Sequence, residues 1–274
     1  MPYGLPALFT YIMGNVHTSL KERIHLKIKP LGVGGAFTKY YHNNYLVFMG
    51  ERTLLIDAGT TLRYSLKEAG HQETEITDII ITHLHSDHVG GLEEYAQKCH
   101  ALFKHKPNLW IRGEMRREFE EVVGKGLFNN GLTIDDYFIV HTVECGHENR
   151  FMIGEYEVEL IKTDHLHLKG MKSMGLKITA PSKRNILFSS DIAQHEKSEL
   201  KEKIDGNTQA LFHDVSFIRV PVHSFIDDVV DYYGDVLEKS KLYFMHYQDD
   251  VSEEEMAKYG DAVFVKKGEE YIFS

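Results

Sequence analysis

Short apolar runs alternate with amphipathic stretches along most of this chain. Runs rich in β-branched and aromatic residues predict strands over 24–30, 45–49, 53–56, 78–82, 156–162, 174–180, 186–190, 210–212, 242–245 and 262–265. Helical patterning predicts helices over 61–69, 92–99, 114–123, 195–203 and 226–238. In the last of these, Ile226, Val229, Val230, Tyr233 and Leu237 recur at helical spacing and form one apolar face. Strands alternating with helices, and hairpins at both ends, predict an α/β architecture of two packed sheets with helices outside. No linker, repeat or low-complexity tract interrupts the pattern, so one domain is expected over 24–274, with an extension over 1–23.

That extension is mildly apolar but has no basic start and no continuous apolar run, and Pro2 and Pro6 interrupt it. It predicts neither a signal peptide nor a membrane span. Leu5, Leu8, Phe9, Ile12 and Met13 are expected to pack, with a homodimer contact as the expected use.

Composition narrows the classes of function. With 42% hydrophobic and 26% charged residues, the chain is ordinary for a globular protein. A formal net charge of −10 argues against a stable complex with nucleic acid, which calls for a basic footprint. It leaves a small anionic substrate open, because bound cations reverse the sign locally. The two cysteines, Cys99 and Cys145, make no disulfide framework and no zinc–cysteine pattern, as expected of reduced thiols in a cytoplasmic protein. Histidine is the unusual count, at 17, and it is clustered.

The main cluster is Thr82-His83-Leu84-His85-Ser86-Asp87-His88-Val89-Gly90-Gly91, at the end of an apolar strand. His83 and His85 are two apart in an extended segment, so both rings point the same way and can reach one metal ion. The turn at Asp87 and His88 adds an oxygen and a nitrogen ligand for a second. Gly90 and Gly91 are expected to let the backbone turn into the next helix. Imidazole and carboxylate ligands suit zinc, with manganese as the alternative. Three histidines and an aspartate within six positions are poorly explained as a merely polar loop.

The unbroken HxHxDH motif resembles that of the metallo-β-lactamase superfamily, whose fold is a four-layer αββα sandwich of two mixed sheets with outer helices. The resemblance implies further ligands at strand ends. His165 is the expected third ligand of the first metal, with His167 as its rival, read as solvent-exposed or substrate-facing. Asp191 is the expected bridging carboxylate, and His246 the ligand completing the second site. Asp87 both holds a metal and can orient the nucleophile. His213-Asp214-Val215-Ser216-Phe217 is similar to the HEAT motif of ribonuclease Z-like phosphodiesterases, and His223-Ser224-Phe225 to their HST motif. Asp214 replaces the usual glutamate and Phe225 the usual threonine. By that likeness His223 is the candidate proton donor to the leaving group and Asp214 its acidic partner.

Only 26 positions separate His165 from Asp191, which leaves no room for the long basic arm of the tRNA-cutting ribonuclease Z enzymes. The chain most resembles the anti-Pycsar cyclic nucleotide phosphodiesterases. This likeness implies hydrolysis of 3′,5′-cyclic mononucleotides with two zinc ions, in evasion of antiviral defence. Phe37, Tyr40, Tyr41 and His42 are candidates for stacking on the base. The competing readings are a ribonuclease Z-like nuclease, a lactonase or other ester hydrolase on the same fold, and a non-enzymatic binding protein.

Overall fold

A computed structural model describes residues 25–128, 131–144 and 149–273. The apolar positions proposed for a dimer contact, from Leu5 to Met13, lie outside these residues, as does Cys145; Cys99 is buried and free.

The first half of the chain builds one sheet from β1 (Leu26–Pro30), β2 (Tyr45–Met49), β3 (Arg52–Ile56), β4 (Asp78–Ile80), β5 (Asn108–Arg112) and β6 (Ile139–Val143). The second half builds another from β7 (Arg150–Ile153), β8 (Tyr156–Lys162), β9 (Met174–Thr179), β10 (Asn185–Phe188), β11 (Thr208–Asp214), β12 (Leu242–Met245) and β13 (Val263–Phe264). The closing strand β14 (Tyr271–Phe273) crosses back to pair with β1. The sheet orders are β14-β1-β2-β3-β4-β5-β6 and β13-β12-β11-β10-β9-β8-β7. Each sheet is antiparallel on one side and parallel on the other: β3 to β6 run parallel, as do β10 to β13.

Three apolar clusters make the layers. Side chains of both sheets, among them Ile28, Val47, Leu54, Leu160, Leu176, Ile186 and Phe212, interdigitate between them. The other face of the first sheet is covered by α1 (Leu62–Glu68), α3 (Leu92–Lys98) and the segment after β5, through Leu66, Leu92, Ala96 and Phe119. Between β4 and α3 lies the single turn α2 (Ser86–Val89). The second sheet is covered by a later helix (Ile226–Tyr233), whose Ile226, Val229 and Tyr233 are buried, as the helical spacing predicts. This is the αββα sandwich that the motif resemblance implies.

Several boundaries differ from the sequence expectation. The helix predicted over 114–123 is a succession of a 3₁₀ turn, an α turn, a π turn and a short α turn reaching Leu127. The one predicted over 195–203 is two separate 3₁₀ turns. Gly90 and Gly91 have ordinary helical backbone; they are needed for close approach instead. A Cβ on Gly91 would sit 2.3 Å from the Gly59 carbonyl oxygen, and one on Gly90 2.6 Å from that of Ser86. The parallel halves of both sheets end at the same edge of the sandwich. There the chain leaves each strand for a loop, and open parallel sheets bind ligands at such ends.

Candidate metal centre

β4 delivers Thr82 and His83, and His85 is the extended residue that starts α2, with φ −71° and ψ 152°. His83 Nε2 lies 3.1 Å from His85 Nδ1, and His167 Nε2 lies 3.2 Å from the same atom. One turn later Asp87 and His88 face the same cleft. From the second sheet, Asp191 follows β10 and His246 follows β12. The Oδ2 atom of Asp191 is 3.9 Å from His83, 3.4 Å from His88, 3.8 Å from His167 and 3.3 Å from His246. Two groups that could each hold a metal ion result: His83, His85, His167 and Asp191, and Asp87, His88, Asp191 and His246. They share the one carboxylate.

The expectation for His165 is corrected here, and with it that for His167. Asp164 is gripped by the Arg112 guanidinium through both its oxygens, at 2.6 and 3.1 Å, and also accepts the Ser173 N–H. This closes the 163–173 loop. Within it His165 adopts a left-handed φ of 65°, which breaks the strand-like alternation of side chains. Its ring turns outward, exposed, and accepts the Gly170 N–H. His167 turns inward, buried, and donates Nδ1–H to the Val222 carbonyl at 2.6 Å, which aims Nε2 at His85.

Asp57 has no counterpart among the sequence candidates. It follows β3 in a left-handed conformation, φ 62°. Its carboxylate accepts the N–H of Thr82 at 2.7 Å, the Thr82 hydroxyl at 2.8 Å and Nδ1–H of His88 at 2.7 Å. Holding the far nitrogen of a ligand histidine fixes its tautomer and direction. A buried aspartate at the end of an apolar strand was the available signal. Ser190 and His246 also have left-handed backbone, with φ of 56° and 60°. Strained non-glycine residues gather at functional sites because surrounding structure must hold them there.

The chemistry of these groups fits divalent cations. Asp87 Oδ1, Asp191 Oδ1 and His88 Nε2 are buried without a hydrogen-bond partner among the described residues. Burying such atoms unpaired is costly, and a cation satisfies all of them at once. Burial drives the protonation of His83, His85 and His167 down, leaving neutral rings with lone pairs to offer. For His88 and His246 burial opposes the charged form, but Asp191 outweighs it and raises both. Burial likewise opposes ionisation of Asp191, yet the His246 and His88 charges hold it well below the carboxylate range.

Beside the clusters stands a different pair. His223 Nδ1–H donates to Asp214 Oδ2 at 2.8 Å, and the same oxygen accepts the Ile192 N–H at 3.0 Å. Burial disfavours a charged His223, but the Asp214 carboxylate prevails and lifts it to about 9. Ser224 donates to the Ile192 carbonyl, tying the second motif to the segment behind Asp191. His213 is buried and driven down to about 3, so it is neutral and donates Nδ1–H to the Asp214 carbonyl. A cavity of about 320 Å³ opens over the clusters, lined by His85, Asp87, His167, Asp191, His223 and His246 with Ala36 and Phe37. Of the four aromatic loop candidates only Phe37 reaches it. Tyr41 is bonded to Glu68 and His42 is buried against Thr60.

Comparison with known proteins agrees with this geometry. The chain superposes on the metallo-β-lactamase fold protein YhfI from Bacillus subtilis with a TM-score of 0.69, at 15% identity over 91% of this chain and 99% of that one. It superposes on unliganded yeast PDE1 with a TM-score of 0.70, at 16% identity over 92% and 100%. These likenesses establish the metallo-β-lactamase fold. In sequence the chain is 31% identical to the anti-Pycsar protein Apyc1 of Paenibacillus sp. (strain J14), over 90% of this chain and 98% of that protein. The model of the family described as anti-Pycsar protein Apyc1 matches residues 26–271, nearly the whole described fold, and the chain belongs to that family.

Proposed function

We propose that this protein is a dinuclear metal-dependent phosphodiesterase that opens 3′,5′-cyclic mononucleotides to linear monophosphates, and thereby removes a cyclic-nucleotide signal of antiphage defence. The observation that carries the reading is the sharing of Asp191 by two ligand clusters in one cleft, with the His223–Asp214 pair beside it. Membership in a family named for countering Pycsar supports the substrate class.

One ion would be held by His83, His85, His167 and Asp191, and the other by Asp87, His88, His246 and Asp191. Zinc suits these ligands, with manganese as the alternative. When bound, such ions make water a better nucleophile at neutral pH and offset charge on phosphoryl oxygens. The chain's own groups do the rest. Asp57 and Val222 hold His88 and His167 in ligating orientation. Asp87 borders the cleft and can orient the attacking water. With its Nδ1 engaged by Asp214, His223 has Nε2 left to protonate the ribose oxygen as the phosphorus–oxygen bond breaks. Such donation is worth about a hundredfold or more in rate for a positioned acid.

The test is a panel of cyclic mononucleotides offered to chelated protein and to protein restored with zinc or manganese. The expected result is metal-dependent release of linear monophosphates, with no trimming of a precursor tRNA trailer. Faster trimming of the trailer, or turnover of lactones alone, overturns the reading.

A further inference from the structure

A second cavity, of about 470 Å³, adjoins the metal cleft. Its size lies in the usual range of small-molecule sites, roughly 300–1,000 Å³. The two cavities share Ala36, Phe37, His223 and His246 in their walls. The cleft holds the candidate ligands and so must take the cyclic phosphate. Apart from the shared histidines, the second cavity is walled by residues with no part in the chemistry, including Phe217, Ile218, Tyr247 and Gln248.

Phe37 stands at the lip of both cavities, and its side chain is 100% exposed. A lone exposed apolar residue on a surface needs no explanation. This one sits on a loop that is held unusually firmly. Asp249 accepts the Thr38 hydroxyl at 2.5 Å and the Lys39 N–H at 2.7 Å. Thr38 N–H reaches the Gly35 carbonyl at 3.1 Å, and Lys39 pairs with Asp250 at 2.6 Å. The loop also lies directly on a candidate ligand: a Cβ on Gly35 would stand 2.9 Å from the His246 ring. A ring carried to the cleft on this held loop, with none of the described residues packed on it, offers an open aromatic face.

The polar groups of the second cavity are largely committed. Gln248 accepts the Phe217 N–H and donates to the Ser216 hydroxyl, and Asp249 is engaged with the loop. Ile218, 60% exposed, gives the same cavity a further apolar surface. The cavity is therefore suited to a flat, apolar-faced group, held by contact more than by hydrogen bonds.

We infer that the second cavity is the nucleobase subsite, that Phe37 is the ring on which the base stacks, and that Asp249 is a positioning residue that sets Phe37 in place. The inference rests on the phosphodiesterase reading above. The experiment compares steady-state kinetics on 3′,5′-cyclic AMP and on ribose 3′,5′-cyclic phosphate, which lacks the base. Phe37→Ala is expected to raise KM for cyclic AMP by about five- to hundredfold, the range of one base–aromatic stack, with kcat changing far less. On the base-less substrate the gap between Phe37→Ala and wild type should close. Phe37→Trp should restore KM, and Asp249→Ala should raise it in the same base-dependent way without loss of bound metal. A KM for Phe37→Ala within twofold of wild type on cyclic AMP, or an equal loss on both substrates, overturns the inference while leaving the phosphodiesterase reading intact. A wild-type protein that turns over no cyclic nucleotide overturns both.

Discussion

Two kinds of histidine line this cleft. His83 and His167 are buried and His85 is half-buried between them, and desolvation lowers the proton affinity of all three. His223 is also largely enclosed, yet it holds its proton to about pH 9 because Asp214 sits on its Nδ1. On the reading proposed above, the same side chain, a few ångströms away, serves as a ligand in one place and as an acid in the other. Between His167 and His223 what differs is the partner at the far nitrogen; His88, with Asp57 on its Nδ1, is raised as well and faces the candidate metal cluster with its other nitrogen. For His167 burial lowers the value, and the hydrogen bond to the neutral Val222 carbonyl pulls the other way too weakly to offset it. For His223 the partner is a buried carboxylate, which stabilises the imidazolium outright. Desolvation and a nearby charge act in opposite directions, and the placement of a single aspartate decides the sign.

Breaking the ligand side should have the largest effect. Asp191→Ala removes the carboxylate that both clusters share, so metal content should fall to near zero along with activity. Elemental analysis checks the first and phosphodiesterase assay the second; full metal retention would undo the two-cluster reading. Next in size, His167→Ala should cost at least one ion, whereas His165→Ala should leave metal content and rate close to wild type. The reverse outcome would mean that the 163–173 loop refolds when metal enters.

The acid side should respond differently. His223→Ala should slow cyclic nucleotide hydrolysis about a hundredfold or more with both ions retained, and the defect should shrink on bis-p-nitrophenyl phosphate, whose phenolate leaves unaided. Equal impairment on both substrates would remove His223 from the acid role. Asp57→Asn lies between the two sides, since it loosens a ligand without removing it; metal affinity should drop about 10–100-fold, measurable by chelator competition.

The smallest and most specific effect is a titration. In metal-free protein the His223 ring, followed by NMR, should stay protonated until about pH 9. Its charged form is favoured in the fold, so the stability that the pair adds is complete below the unfolded value of about 6.5 and is lost as pH rises through the folded one. Asp214→Asn leaves burial as the dominant influence, so the midpoint should drop to the ordinary histidine range or lower. A midpoint unmoved by Asp214→Asn would show that the carboxylate does not set the proton affinity.

The sequence by itself determined the parts of this protein that local order can encode. Alternating apolar runs fixed most strands to within two residues, and Tyr45–Met49, Tyr156–Lys162 and Leu242–Met245 to the residue. Asn108–Arg112, Ile139–Val143, Arg150–Ile153 and Tyr271–Phe273 escaped it. Three of these four lie at a sheet edge and Asn108–Arg112 lies next to one, where exposed positions dilute the pattern. The run from His83 to His88 was legible because all its candidate ligands stand on one strand end and one helical turn. Tertiary structure decided the rest. His165 and His167 offer the same chemistry two positions apart, and only the grip of Arg112 on Asp164 turns one ring out and the other in. Asp57 lies 31 positions from His88, a pairing that spacing alone does not reveal. Thr38, next to Phe37, and Asp249 meet across 211 positions, because the loops at the ends of both sheets converge on one edge. Periodicity records which face of an element is buried; it carries no record of which distant side chain will occupy the space in front of it.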